Sequence, residues 1–156
     1  MSAHDVQSAR VFPATPAALF ATFADPTRLA RWWGPAGAVN EFAIFEFHPG
    51  GRWHFVMRMP DGAAYQMQQR FLEVTPPERL VIAHDQAGHD FTLTILLAAI
   101  DANHTRLQWH MRFASAAEAA RVRDVVLASN EENFDRLAVE LQRPTAPEQG
   151  REAATG

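Results

Sequence analysis

The apolar positions of the chain change their spacing twice, and three regions result. In the first, residues 5–12 fit a strand. Thr15-Pro16 then supplies a cap followed by a proline, and Ala17–Ala24 reads as a short helix with Leu19, Phe20 and Phe23 apolar. A second short helix follows directly. Asp25 can cap its free amides, and Pro26 fits the first turn because its missing N–H is not needed there. It runs through Leu29 to Trp32-Trp33, where Gly34-Pro35 stops it. From Val39 to about Phe113 the spacing falls to two. Phe42, Ile44 and Phe45–Phe47 read as a strand and Pro49-Gly50-Gly51 as a turn. Trp53, Phe55, Met57 and Met59 alternate with Arg52, His54, Val56 and Arg58. Asp61-Gly62 is a hairpin signal. Strands over Tyr65–Thr75, Leu80–Asp85 and Phe91–Ile100 come next, and Thr105–Phe113 puts Leu107, Trp109, Met111 and Phe113 on one face.

The third region returns to helical spacing. Ser115 and Glu118 form a capping-box signature. Val122, Val126, Phe134, Leu137 and Leu141 make one stripe on a helix of about six to seven turns. Beyond Gln142 no apolar residue is larger than alanine, so residues 143–156 predict a disordered tail. Successive strands joined by short turns make an antiparallel sheet. The long helix must bury its stripe on one face of that sheet. The fold class is therefore α+β, with two short helices after the first strand.

Composition narrows the class further. A chain of 156 residues is long enough for one domain with a real core. Net charge of -4 and pI near 5.9 argue against nucleic acid or an anionic membrane as a main partner, since both need a basic face. With no cysteine there is neither a disulfide framework nor thiolate chemistry. No apolar run approaches the roughly 20 residues that span a bilayer, and Met1–Arg10 holds no apolar signal segment, so cytoplasm is the default expectation.

Several motifs carry a family resemblance. They are Asp25-Pro26 through Leu29, Arg31-Trp32-Trp33-Gly34-Pro35, Pro49-Gly50-Gly51-Arg52-Trp53, and Met57-Arg58 with Pro60-Asp61-Gly62. Leu72-Glu73-Val74 with Pro76-Pro77-Glu78-Arg79-Leu80, Thr105-Arg106-Leu107 and Asp135-Arg136-Leu137 complete the set, spanning roughly residues 8–142. In order and spacing they resemble the START-like (SRPBCC, helix-grip) superfamily, and within it the group related to the activator of Hsp90 ATPase homologue 1. The resemblance implies a single domain over residues 1–142: a curved antiparallel sheet of about seven strands wrapped around the long C-terminal helix. Members of the group include ligand-binding proteins, a co-chaperone domain and proteins with no assigned activity, so the match is specific for fold and weak for function. One departure stands out. Relatives commonly carry a Gly-Trp pair on the final helix where this chain has Ser129-Asn130. Asn130 also falls midway between Val126 and Phe134, so a polar side chain interrupts the stripe. An amide buried there without a partner would cost on the order of 1–3 kcal/mol, and it needs a protein partner, water or a ligand.

A cavity between sheet and helix would be the ligand site. The residues expected to line it are Trp33, Trp53, Phe55, Met57, Trp109, Met111, Val126, Asn130 and Phe134, with plain core packing as the competing reading. One of Trp32 and Trp33 is expected inside and the other at the cavity mouth. None of the seven histidines forms a zinc signature. His54 and His110 share parity with arginines and are expected outward, His84 inward, and His89 in a loop. Glu46 and Glu73 suggest strand salt bridges, and Glu131-Glu132 a solvated face. Among Gln66, Gln68 and Gln69 either parity leaves an inward amide, because Phe71 and Leu72 pull opposite ways. No G-x-S-x-G elbow is present. No metal or other cofactor is implied. The favoured reading is a non-enzymatic protein holding a small apolar or amphipathic molecule. A protein-interaction domain of the co-chaperone kind is the alternative, and a cyclase- or hydrolase-type enzyme ranks third. A homodimer is left open.

Overall fold

Seven strands form one antiparallel sheet in the order β1-β7-β6-β5-β4-β3-β2. In chain order they are β1 (Asp5–Phe12), β2 (Val39–Phe45), β3 (Arg52–Arg58), β4 (Ala64–Thr75), β5 (Arg79–His84), β6 (Phe91–Asp101) and β7 (His104–Phe113). Two short helices, α1 (Pro16–Ala24) and α2 (Pro26–Trp32), separate β1 from β2, and α3 (Ala116–Leu141) follows β7. The computed structural model describes residues 3–84 and 90–143. The expected tail therefore lies outside the described residues apart from Arg143, and so does His89.

Local chemistry accounts for the element ends. Thr15, Asp25 and Ser115 cap α1, α2 and α3 by accepting hydrogen bonds from backbone N–H groups of Ala18, Thr27 and Glu118. Gly34 adopts φ +93°, which a side chain would resist, and turns the chain away after Trp33. Gly51 is required for a different reason: a Cβ there would lie 1.8 Å from the Glu46 carbonyl oxygen. At Asp61-Gly62 the Asp61 carboxylate accepts from the Ala63 N–H, and the hairpin closes as expected.

Helix α3 crosses one side of the sheet, against β1 and β7, with α1 and α2 on its far half. The seam with β1 is polar. Asn130 Nδ2 donates to Ser8 Oγ at 3.0 Å. Arg10 bonds Glu131 and Asp135 while its guanidinium lies 5.3 Å from the Phe134 ring centre. Glu132 accepts from the Ala36 N–H. Both glutamates expected to be simply solvated thus tie the helix down, although they remain exposed.

The seam with α2 is denser still. Arg136 donates to five backbone carbonyls, those of Arg31, Trp33, Gly34, Pro35 and Ala38. These include the carbonyls a helix leaves unpaired at its C-terminus. Burial pulls the Arg136 guanidinium below its usual pKa. Asn133 Nδ2 donates to the Trp32 carbonyl at 2.8 Å, and Asn40 Nδ2 to those of Ala30 and Trp33. Glu140, 1 % exposed, accepts from Arg28 and Arg31. Burial pushes the Glu140 carboxyl up, but the two arginines outweigh it and hold it below its ordinary value.

The remaining polar residues fall as charge pairing dictates. Glu46 pairs with Arg52, whose side-chain and backbone hydrogen bonds lower its carboxyl to about 2. Glu73 pairs with Arg79. His54 is half-buried on the outer parity of β3, and His110 sits 3.2 Å from the Asp5 carboxylate.

Candidate ligand site

The inner face of the sheet, the face covered by α3, can be read row by row from the strand register. One row runs Trp53, Gln69, His84, Phe91, Phe113 across β3, β4, β5, β6 and β7. Residues directly opposite in an antiparallel pair point to the same side, so these five share a face. Phe113 brings the row beneath the start of α3. His84 stacks on Phe91 at 4.8 Å between ring centres, and Phe91 meets Phe113 at 5.4 Å. The parity of β4, ambiguous in sequence, is settled by an irregularity. Register shifts between Phe71 and Glu73, so Leu72 is extra and exposed. Gln69 and Phe71 therefore face inward, and Gln66 and Gln68 outward.

Gln69 is 5 % exposed, and its side chain makes no hydrogen bond among the described residues. The indole N–H groups of Trp53 and Trp109 are fully enclosed and likewise have no partner there. Apolar neighbours around this end are less buried than the core. Met67 on β4, Phe91 on β6, and Val122, Val126 and Leu127 on the first half of α3 are all only partly covered. A hollow of about 350 Å³ at the end of the row is lined by Phe91, Phe113, His4, Asp90, Thr92, Arg112 and Ala114.

Most of the nine residues expected to line a cavity sit deeper than that. Trp33, Trp53, Phe55, Met57, Trp109, Met111, Asn130 and Phe134 are buried, and Val126 is partly exposed. Trp33 joins Trp53 at 4.8 Å and Trp109 at 5.4 Å between ring centres. Trp32 packs on Phe23 and donates its indole N–H to the Thr22 carbonyl. Both members of the tryptophan pair are thus inside, and neither stands at a mouth, because Arg136 and Asn40 fold the chain after α2 back over them. Asn130 is 6 % exposed, with its amide committed to Ser8 and 3.8 Å from the Met111 sulfur. The structure brings Trp33, Trp53, Phe55 and Trp109 into one cluster and places Asn130 on the helix–β1 seam beside it.

Gln69 was one of three open choices in the sequence, and the missed signal was the hairpin register. Counting outward from Asp61-Gly62 sets Arg58 opposite Ala64 and therefore Trp53 opposite Gln69. Among the described residues no three His, Asp or Glu side chains gather as a metal site.

A family model described as activator of Hsp90 ATPase homolog 1-like protein matches residues 13–142. The chain belongs to that family. Solved structures share its fold. A protein from Arthrobacter aurescens, solved in solution, superposes with a TM-score of 0.80 at 24% identity, covering 92% of this chain and 88% of that one. A crystal structure from Rhodobacter sphaeroides gives 0.79 at 28% identity, covering 90% and 93%. An AHSA1 protein from Silicibacter pomeroyi gives 0.71 at 24%, covering 88% and 96%. No curated protein matches the sequence. The helix-grip architecture expected from the motifs is the architecture of this Hsp90-activator-like chain. No helix among its described residues is long and apolar enough to cross a membrane.

Proposed function

We propose that the protein binds a small apolar or amphipathic molecule between the inner face of β3–β7 and the first half of α3. The observation that carries this reading is Gln69. The Trp53 indole N–H opposite it is enclosed with no partner among the described residues, and a donor left so costs stability and is rare in native proteins, so the pair marks a place where something else completes the bonding. Met67, two residues before it on β4, Phe91 in the same row and Val126 on α3 are only partly covered and offer apolar contact without further unfolding. The residues assigned to the site are Gln69, Met67, Phe91 and Val126, backed by the cluster of Trp33, Trp53, Phe55, Met57, Trp109, Met111 and Phe134, with Asn130 bounding it on the β1 side. Binding of this kind needs no chemical step, and we infer a carrier or sensor rather than an enzyme.

The protein-interaction alternative would call for a continuous exposed apolar patch. Among the described residues the exposed large apolar side chains, Val11, Val39, Tyr65, Leu72, Ile100, Val125 and Val139, lie on five different elements and give that alternative no specific support. Native mass spectrometry of the purified protein tests the proposal: a co-purified small molecule, absent after denaturing extraction, is the expected result. An empty protein that also shows no thermal shift across a panel of lipids and aromatic compounds would overturn it.

A further inference from the structure

We infer that the molecule bound here carries a neutral polar group, a carboxamide, ketone or hydroxyl, and that Gln69 reads it. The inference rests on the binding reading above and specifies the ligand. A glutamine amide offers both a donor and an acceptor, and the neighbouring Trp53 indole offers a donor only. Neither carries charge. The cations of the sheet are elsewhere. Arg52 and Arg58 lie on the outer parity of β3 and pair with Glu46 and Glu41. Arg70 and Arg106 are exposed on the outer face, while Arg112 lines the hollow at the β7 end of the row and pairs with Asp5, whose backbone carbonyl also holds Arg123 of α3. Arg10, on the inner face, lies at the far side of the sheet and is held by Glu131 and Asp135. From His84 to Leu96 the sequence contains neither lysine nor arginine. A carboxylate brought to Gln69 would lose its hydration, and neither Gln69 nor the Trp53 indole carries a charge to replace it, a large penalty. A carboxamide would instead pair its N–H and C=O groups with those of Gln69. The remaining titratable group of the row is His84, stacked against Phe91, with Asp85, His89 and Asp90 following it in sequence.

The test uses the full chain and the neutral fluorophore N-phenyl-1-naphthylamine, whose emission reports entry into an apolar site. It is displaced by either 6-phenylhexanamide or 6-phenylhexanoate at about pH 8, where the acid is ionised. The amide should displace the dye at a concentration at least about tenfold lower than the acid, since its hydrogen bond to Gln69 and the desolvation of the acid act in the same direction. In Gln69→Leu that ratio, taken against the variant's own dye affinity, should fall severalfold as the hydrogen bond to the amide is lost. Gln69→Met, nearly isosteric, should repeat the result and guards against a local packing effect of leucine. Equal or better displacement by the acid, or a ratio unaltered in both variants, overturns the inference while leaving a binding site in place. A dye that does not bind at all sinks the binding reading itself, and this inference falls with it.

Discussion

The two halves of α3 bury polar groups under opposite terms. Beside the second half most of the polar groups have found partners, although Asn40 Oδ1 is enclosed without one. Arg136 closes the end of α2 through five carbonyls, Asn133 takes the Trp32 carbonyl, and Glu140 holds Arg28 and Arg31. Phe134 and Leu137 are completely covered. On the same face of the sheet Gln69 makes no hydrogen bond among the described residues, and Val122 and Val126 of the first half are only partly covered. One end is built to stay shut. The other retains unsatisfied groups and incomplete packing, the two costs that a bound molecule would remove together.

Truncating the apolar stripe at each end gives the largest expected contrast. Leu137→Ala should lose about 3–4 kcal/mol, because its site is enclosed and cannot collapse. Val126→Ala should lose about 1 kcal/mol, since Val126 is only partly buried and gives up less apolar burial than Leu137. Urea unfolding of both variants measures the difference. Comparable losses would show that the first half of α3 is packed as tightly as the second.

Arg136→Met comes next, with an expected loss of about 2–3 kcal/mol. The stem keeps its packing, so the loss isolates the hydrogen bonds to the α2 carbonyls. Hydrogen exchange should then rise in residues 31–38 while β4 and β5 stay protected. Uniform loosening of the whole sheet would mean that Arg136 supports more than this junction.

Glu140→Gln should cost about 2 kcal/mol at neutral pH, below the usual figure for a broken buried pair because Arg31 is partly exposed. The folded protein holds the Glu140 carboxyl below its ordinary value of 4.5. The folded state therefore binds this proton less readily than the unfolded chain. Its contribution is fully present above pH 4.5 and is lost as pH falls through the lower folded value. The gap in stability between native protein and variant should accordingly close on acidification. A gap that stays constant from neutral pH down through that range would mean the carboxylate charge is not what holds Arg28 and Arg31.

The element order was legible because alternation, capping residues and glycine or proline punctuation all agree along this chain. The packed end was less legible. Asn133, Arg136 and Glu140 follow one another at three and four residues, the spacing of the apolar stripe, but charged and amide side chains at that spacing read as a solvated face. Their burial depends on where α2 ends in space, which the helix pattern does not contain. At the open end the obstacle was a single residue. Leu72 is inserted into β4, so the inward side before it and after it differs by one position, and alternation alone gives two answers. Asn130 was visible as an interruption, yet its partner Ser8 lies 122 residues earlier, beyond any local pattern.

The smallest effect has the opposite sign and bears most directly on the comparison. Gln69→Leu removes an amide that makes no hydrogen bond among the described residues, on a side chain only 5 % exposed, and leaves an apolar side chain of similar volume. Such an exchange is neutral or favourable, so the variant should gain about 1 kcal/mol in the absence of any small molecule. At the packed end the equivalent exchange, Asn133→Leu, should lose about 1–2 kcal/mol, because it frees the Trp32 carbonyl. Thermal or urea unfolding of the two variants in parallel reads the sign. A residue whose removal stabilises the empty protein is maintained at a cost, and function is the common reason for such a cost. If Gln69→Leu destabilises instead, the amide is part of the ordinary architecture of β4, and the two ends differ in packing alone.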